Sequence, residues 1–329
     1  MKLLRLLGSR WRLVVSLALF GLIGWLLFDR AQSIDWAEVM RSLRQYDLRT
    51  VAGAVCTALV GYAALSNYDL LARRYAGHDL PTRRVQAIAF VGYSFTMNLG
   101  TFVGGMGFRY RLYSRYGLKP AQIVRLVAII LLTNWSGYLL LAGLAFSAGQ
   151  PPLPAEWHVH PALQRALGAL LLSGAAGYVL LCRLRAGRML SVGRLHLRVP
   201  PARFALAQLA LSSLSWLMVA ATLAQLLPQE VAFTRVLATL FVSSLAGVVA
   251  HIPGNLGVLE GVCLALLGDA IPAAQLLAAL LAFRAIYYLL PFAAALVVYA
   301  FLEVRAGRLG HAVVPVAAGV HAGTPQPPR

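Results

Sequence analysis

The sequence predicts an all-α fold, a polytopic bundle of transmembrane helices with about six full spans and two broken, re-entrant helical hairpins. Three observations carry this. Hydrophobic residues fill 60% of 329 positions and charged residues only 12%, more apolar surface than a water-soluble domain of this size can enclose. Apolar runs long enough to cross roughly 30 Å of hydrocarbon, about twenty helical residues each, recur from end to end. The Lys and Arg residues, which give a formal net charge of +18, fall in short clusters between those runs, where the positive-inside rule and an anionic leaflet place them. That clustering, without a basic folded surface or aromatic interleaving, argues against nucleic acid as a partner.

In chain order, the first run covers residues 13–28 and follows Lys2, Arg5, Arg10 and Arg12. The stretch Asp29-Arg30-Ala31-Gln32-Ser33 has no small-x-small cleavage site, so the run is read as a retained signal anchor with a cytoplasmic N-terminus. Further full spans are predicted at residues 51–71, 127–148, 167–182, 204–227 and 273–301. Two apolar regions, 85–108 and 236–267, are different. Glycine-rich polar stretches interrupt them, around Gly104, Gly105 and Gly107 in the first and around Pro253, Gly254 and Gly257 in the second.

Loop charge sets the expected topology. Arg73, Arg74, Arg83 and Arg84 precede the first broken region, and Arg109, Arg111, Arg115 and Lys119 follow it. Both clusters want the cytoplasmic side, so the region between them reads as a hairpin that enters and leaves there. The second broken region lies between the outside stretches Pro228-Gln229-Glu230 and Gly268-Asp269, before Arg305 and Arg308 return the chain to the cytoplasm. It should enter from the opposite face. Two such elements in corresponding halves are the sequence pointer to an inverted-repeat transporter with its site near the midplane. The competing reading takes the broken regions as ordinary kinked spans packed through glycine. The membrane domain is assigned to residues 1–306, and the Gly-, Ala- and Pro-rich residues 307–329 to a disordered cytoplasmic tail.

Charges inside hydrocarbon cost at least about 2.5 kcal/mol on insertion scales, so they face a cavity, a partner or a headgroup. Glu260 lies just after the second break, and Arg284 lies within the last span, followed by Tyr287, Tyr288 and Pro291. An Arg and a Tyr on one helical face beside a proline could hold a phosphate. Arg284 could equally only neutralise Glu260. In the first break, Gly104, Gly105 and Gly107 leave backbone amides free while Arg109 and Arg111 could hold an anion; alternatively the arginines only anchor topology at the headgroups. Asp69, Asn67, Asn134 and Ser136 are polar residues within spans, more suited to interhelical hydrogen bonds than to substrate. His251 reads as a cap before the proline break. Cys56, Cys182 and Cys263 lack metal or disulfide spacing and read as small core residues. The sequence contains no Gly-x-Ser-x-Gly, His-Glu-x-x-His or Walker pattern, so no catalytic residue, metal or cofactor is assigned and an ATP-driven pump is disfavoured.

Three motifs taken together resemble the flippase-like membrane domain of the lysylphosphatidylglycerol synthase family. They are Gly104-Gly105-Met106-Gly107-Phe108-Arg109-Tyr110-Arg111-Leu112-Tyr113, Pro253-Gly254-Asn255-Leu256-Gly257-Val258-Leu259-Glu260, and Arg284-Ala285-Ile286-Tyr287-Tyr288-Leu289-Leu290-Pro291. The resemblance implies a multi-pass protein of the bacterial inner membrane that moves or binds a phospholipid- or polyprenyl-phosphate-like amphiphile. It also implies a stand-alone membrane form, without the soluble lysyltransferase domain of the bifunctional synthases. Candidate substrate-binding residues are Arg109, Arg111, Tyr113, Asn255, Glu260, Arg284, Tyr287 and Tyr288, with Asn255 standing where the family commonly has glycine. The expected function is a lipid flippase or lipid-binding transporter whose partners are membrane lipids. An intramembrane enzyme acting on a lipid headgroup, or a scaffold for a separately encoded lipid-modifying enzyme, are the alternatives. Loss of a lipid species, against loss of its sidedness only, separates the enzyme from the flippase; co-purification tests the scaffold.

Overall fold

The computed structural model describes residues 36–312 apart from His158, Gly193, Arg194 and His251; the predicted span at 13–28 and the cap reading of His251 lie outside the described residues. Six helical segments are long and apolar enough to cross a membrane. Five coincide with predicted spans: α2 (Leu48–Ala76), α5 (Pro120–Ser147), α6 (Pro161–Leu184), α7 (Ala202–Ala224) and the composite last span Ala273–Ala306. The sixth is α8 (Phe233–Ala250). It forms the leading arm of the second broken region, and at 18 residues, roughly 27 Å, it suffices by length for a span of its own.

Helix ends follow local chemistry. Asp47 caps α2 by accepting the Thr50 N–H at 2.8 Å, and Gly77 ends it in the left-handed region at φ 69°, its N–H closing on the Arg73 carbonyl. Proline opens α5 and α6 at their first positions, where no N–H is needed. A short helix α1 (Trp36–Arg44) sets Val39 against Ala274, Leu277 and Ala278.

Helices α2, α5 and α7 form the centre of the bundle, stitched by side-chain hydrogen bonds. Thr57 meets Thr222 at 3.0 Å, Tyr68 meets Ser215, and Gln208 donates to Thr133 at 2.7 Å. Such bonds contribute about 0.6 kcal/mol each on average in a bilayer, so packing carries the larger share. Backbones approach closely where glycine allows it: a Cβ on Gly168 of α6 would stand 2.3 Å from the Ser147 amide nitrogen of α5.

Both broken regions fold back on themselves. In the first, α3 (Thr82–Leu99) reverses at Gly100, passes through a wide π-turn at Thr101–Gly107 and returns as α4 (Phe108–Arg115). The arms are antiparallel: the Arg84 guanidinium lies over the Tyr116 ring at the base, and a Cβ on Gly104 would meet the Phe95 carbonyl oxygen at 2.1 Å near the tip. In the second, α8 and α9 (Val258–Leu267) are antiparallel arms. Arg235 donates to the Leu266 carbonyl at the base, and Asn255 abuts Gly247 at the tip.

The two tips meet. A Cβ on Gly254 would stand 3.2 Å from the Asn98 carbonyl, so the bases point away from each other, as two hairpins entering from opposite faces require. Helix α2 spans the distance between the two bases. Tyr46, just before it, bonds the Leu226 carbonyl near the second base, and Gly77 just after it receives Gln122 near the first.

The last span consists of α10 (Ala273–Phe283), a π-turn at Arg284–Leu289 and α11 (Leu290–Ala312). The final helix runs to Ala312; residues 313–329 lie outside the described residues. Among the described residues the fold is helical except for one short antiparallel hairpin between α6 and α7, β1 (Met189–Val192) and β2 (Leu195–Arg198).

Candidate functional site

The π-turn of the last span is where the two tips rest, and the sequence explains why it exists. Pro291 has no N–H and its ring crowds the carbonyl four residues back, that of Tyr287. That carbonyl instead accepts the Tyr62 hydroxyl of α2 at 3.0 Å, and the Tyr288 carbonyl accepts the Asn98 amide from the tip of the first hairpin at 3.2 Å. Widened turns of this kind are frequent at functional positions. The Tyr287 ring is buried beside Tyr62 and Phe283, and its hydroxyl has no hydrogen-bond partner among the described residues.

Arg284 opens this turn and reaches into the second break. Its Nε donates to Glu260, and its Nη2 donates both to Glu260 Oε2 and to the Asn255 carbonyl, each at 3.0 Å. Its Nη1 donates to the Gly254 carbonyl at 3.1 Å. Glu260 Oε2 also accepts the Gly257 N–H at 2.9 Å, closing the first turn of α9. The chain can pass through this knot because Gly254 and Gly257 hold φ of 64° and 78°, and Asn255 holds 53°, a region that asparagine tolerates better than most side chains. The Asn255 amide is anchored on the Ser243 hydroxyl and carbonyl of α8. A glycine at this position would relieve the dihedral and lose that anchor.

Arg284, Glu260, Asn255, Tyr287 and Tyr288 therefore converge on one place, with the Tyr288 ring 5.3 Å from the guanidinium. The arginine and tyrosines of the first motif do not join them. Residues two apart on a helix face nearly opposite ways, and Arg109 and Arg111 do so. Arg109 turns inward, its Nε 3.3 Å from Asp69 Oδ2 and its guanidinium 4.1 Å from the centre of the Tyr93 ring. Tyr113 donates to the same Asp69 oxygen at 2.9 Å. Arg111 turns outward to Glu303 at 2.6 Å, where Arg115 and Tyr299 also converge, tying the end of the first hairpin to the last helix.

Exposure separates the two intramembrane ion pairs. The side chains of Arg109 and Asp69 are 5% and 0% exposed, those of Arg284 and Glu260 13% and 17%. The second pair is partly open at its surface. The first is a closed structural core, whose two charges need each other because neither could be left alone in hydrocarbon. Sequence reasoning missed this triad. The signal was a single aspartate inside an apolar span, which demands a cation nearby, but its partner lies 40 positions away.

These features define the class: a polytopic helical membrane protein built around two opposed, tip-to-tip hairpins and a π-turn. The family described as Lysylphosphatidylglycerol synthase TM region matches residues 13–295, and the chain belongs to it. Inner membrane protein YbhN of Escherichia coli (strain K12) is 42% identical over 304 residues, 91% of this chain and 96% of that protein. An uncharacterized Synechocystis protein, slr0712, is 31% identical over 271 residues, 79% of this chain and 81% of its own. A phosphatidylglycerol lysyltransferase of Staphylococcus haemolyticus is 25% identical over 301 residues, which cover 88% of this chain and 34% of that enzyme. The family ties the chain to membranes and to lipid modification.

Proposed function

We propose that this protein is a lipid flippase or lipid-binding transporter, in which a phosphate-bearing headgroup enters the seam between the hairpin tips and meets Arg284 while its acyl chains stay in the bilayer. The observation that carries the reading is the half-buried clasp of Arg284 on Glu260, Gly254 and Asn255 where the two hairpins touch. Four of the five guanidinium N–H groups are engaged there, so a phosphate gains Arg284 by displacing Glu260. Releasing the clasp also frees the second tip from the last span, and the tips can then part toward one face or the other. The basic base of the first hairpin and both chain termini lie on the cytoplasmic side in this scheme. Arg109 and Tyr113 act through Asp69 to hold the first hairpin rigid rather than by touching lipid.

Reconstitution of the full chain into vesicles with a headgroup-labelled phospholipid tests the reading. Dye accessibility should report faster leaflet exchange with the protein than without it. Glu260→Gln combined with Arg284→Ala should return exchange to the protein-free rate; exchange unchanged by that pair would sink the proposal.

A further inference from the structure

A cluster of arginines lies apart from the Arg284 clasp, at the base of the first hairpin. Where the end of α2, the start of α5, the β-hairpin and the start of α7 come together, they line an open cavity of about 820 Å³. Four arginines line it: Arg74, Arg125, Arg198 and Arg203. No Asp or Glu is among its lining residues, and none of the four guanidinium groups has an ion pair or side-chain hydrogen bond among the described residues. All four side chains are exposed, whereas the buried or half-buried Arg109, Arg235 and Arg284 each pair with a carboxylate.

Two further features of the same cavity favour an anion. Pro201 and Arg203 begin α7, a 23-residue helix whose N-terminus carries no side-chain cap and lies at the cavity wall, which places the positive end of its dipole beside the arginines. The wall between the arginines is aromatic: Tyr75 and Phe204 pack at 4.5 Å between ring centres, giving a headgroup an apolar side to lie against. Four like charges held together by the fold repel one another, and only an external anion relieves that repulsion.

The geometry points to a binding site for an anion carrying two phosphate groups, either a diphosphate-type lipid headgroup or a soluble diphosphate. A single phosphate would leave most of the positive charge unmatched and most of the volume unfilled, whereas two phosphates can each engage a pair of guanidinium forks. The site shares no residue with the Arg284 clasp and does not depend on the transport reading.

Binding of a fluorescent cardiolipin to the full-length protein in detergent, followed by anisotropy, tests this. Charge-assisted contacts to phosphate carry such a site, so Arg125→Ala with Arg203→Ala should weaken binding about tenfold or more. Arg183→Ala with Arg185→Ala removes the same charge from exposed positions outside the cavity and should change affinity less than about twofold. Thermal midpoints without lipid should be alike for both double variants, since all four side chains are exposed. Displacement of cardiolipin by sodium pyrophosphate at comparable concentration assigns the site to soluble diphosphates as well; failure to displace assigns it to the lipid. Equal weakening in the two double variants, or displacement by phosphatidylglycerol as effective as by unlabelled cardiolipin, would overturn the inference.

Discussion

Removing the Asp69 carboxylate is the sharpest test of how the first hairpin is held. Asp69 is fully buried and accepts from Arg109 through both oxygens and from the Tyr113 hydroxyl. Asp69→Ala strands a guanidinium in a low-dielectric core, a change that costs about 3–5 kcal/mol. The Tyr113 hydroxyl loses its acceptor at the same time, a penalty of about 1–3 kcal/mol that overlaps the first because both act at one oxygen. Asp69→Asn should be milder, since the amide oxygen still accepts from Tyr113 while the Arg109 charge stays unmatched. The double change Asp69→Leu with Arg109→Met removes both charges and restores apolar volume, and should lie within about 1–2 kcal/mol of the wild type. Unfolding in detergent titrated with a denaturing surfactant measures these variants and the cycle of wild type, Asp69→Leu, Arg109→Met and the double variant. The expected coupling is a favourable interaction of about 2 kcal/mol or more. A cost for Asp69→Ala below about 1 kcal/mol, or a double variant as unstable as the sum of the singles, would refute a structural role for the pair.

Other outcomes follow from single positions. Gly104→Ala should abolish or sharply reduce folded protein, because its Cβ would stand 2.1 Å from the Phe95 carbonyl oxygen, whereas Gly177→Ala meets nothing within 4 Å and should leave the yield of monodisperse protein unchanged. Asn255→Gly should fold with a stability change within about 1 kcal/mol, the relieved dihedral offsetting the lost Ser243 bonds, while Asn255→Val should be markedly less stable in the same surfactant titration. At the base of the second hairpin, the hydrogen bond from Arg235 holds the Asp269 carboxyl below the usual carboxylate range. The stabilisation is therefore present at neutral pH and lost as pH falls through that lowered value. Thermal midpoints of wild type and Asp269→Asn should differ slightly at pH 7 and converge as pH falls below the usual carboxylate range.

The helical framework and both breaks were legible in the sequence because they rest on local rules: apolar length, loop charge, and Gly or Pro where a helix must turn. The meeting of Glu260 with Arg284 was legible as one of two readings, since each was a lone charge in an apolar setting. Three features were not legible. Asp69 and Arg109 find each other only after two helices fold back, so no short spacing announces them. Arg109 and Arg111 looked like one anion site in the sequence, but the helical period sends them to opposite sides, one to Asp69 and one to Glu303. The leading arm of the second break was too closely joined to its apolar return arm to stand out as a full-length helix of its own.

If lipid passes when the hairpin tips part, joining the tips must stop it. Asn98→Cys with Gly254→Cys, in a chain whose Cys56, Cys182 and Cys263 are replaced by serine or alanine, places a thiol on each tip. Leaflet exchange is then measured in vesicles before linking, after linking with a short cleavable bis-thiol reagent, and after reduction. Exchange should be present in the unlinked protein, lost when the tips are joined and recovered on reduction; undiminished exchange with the tips joined would show that lipid does not pass between them.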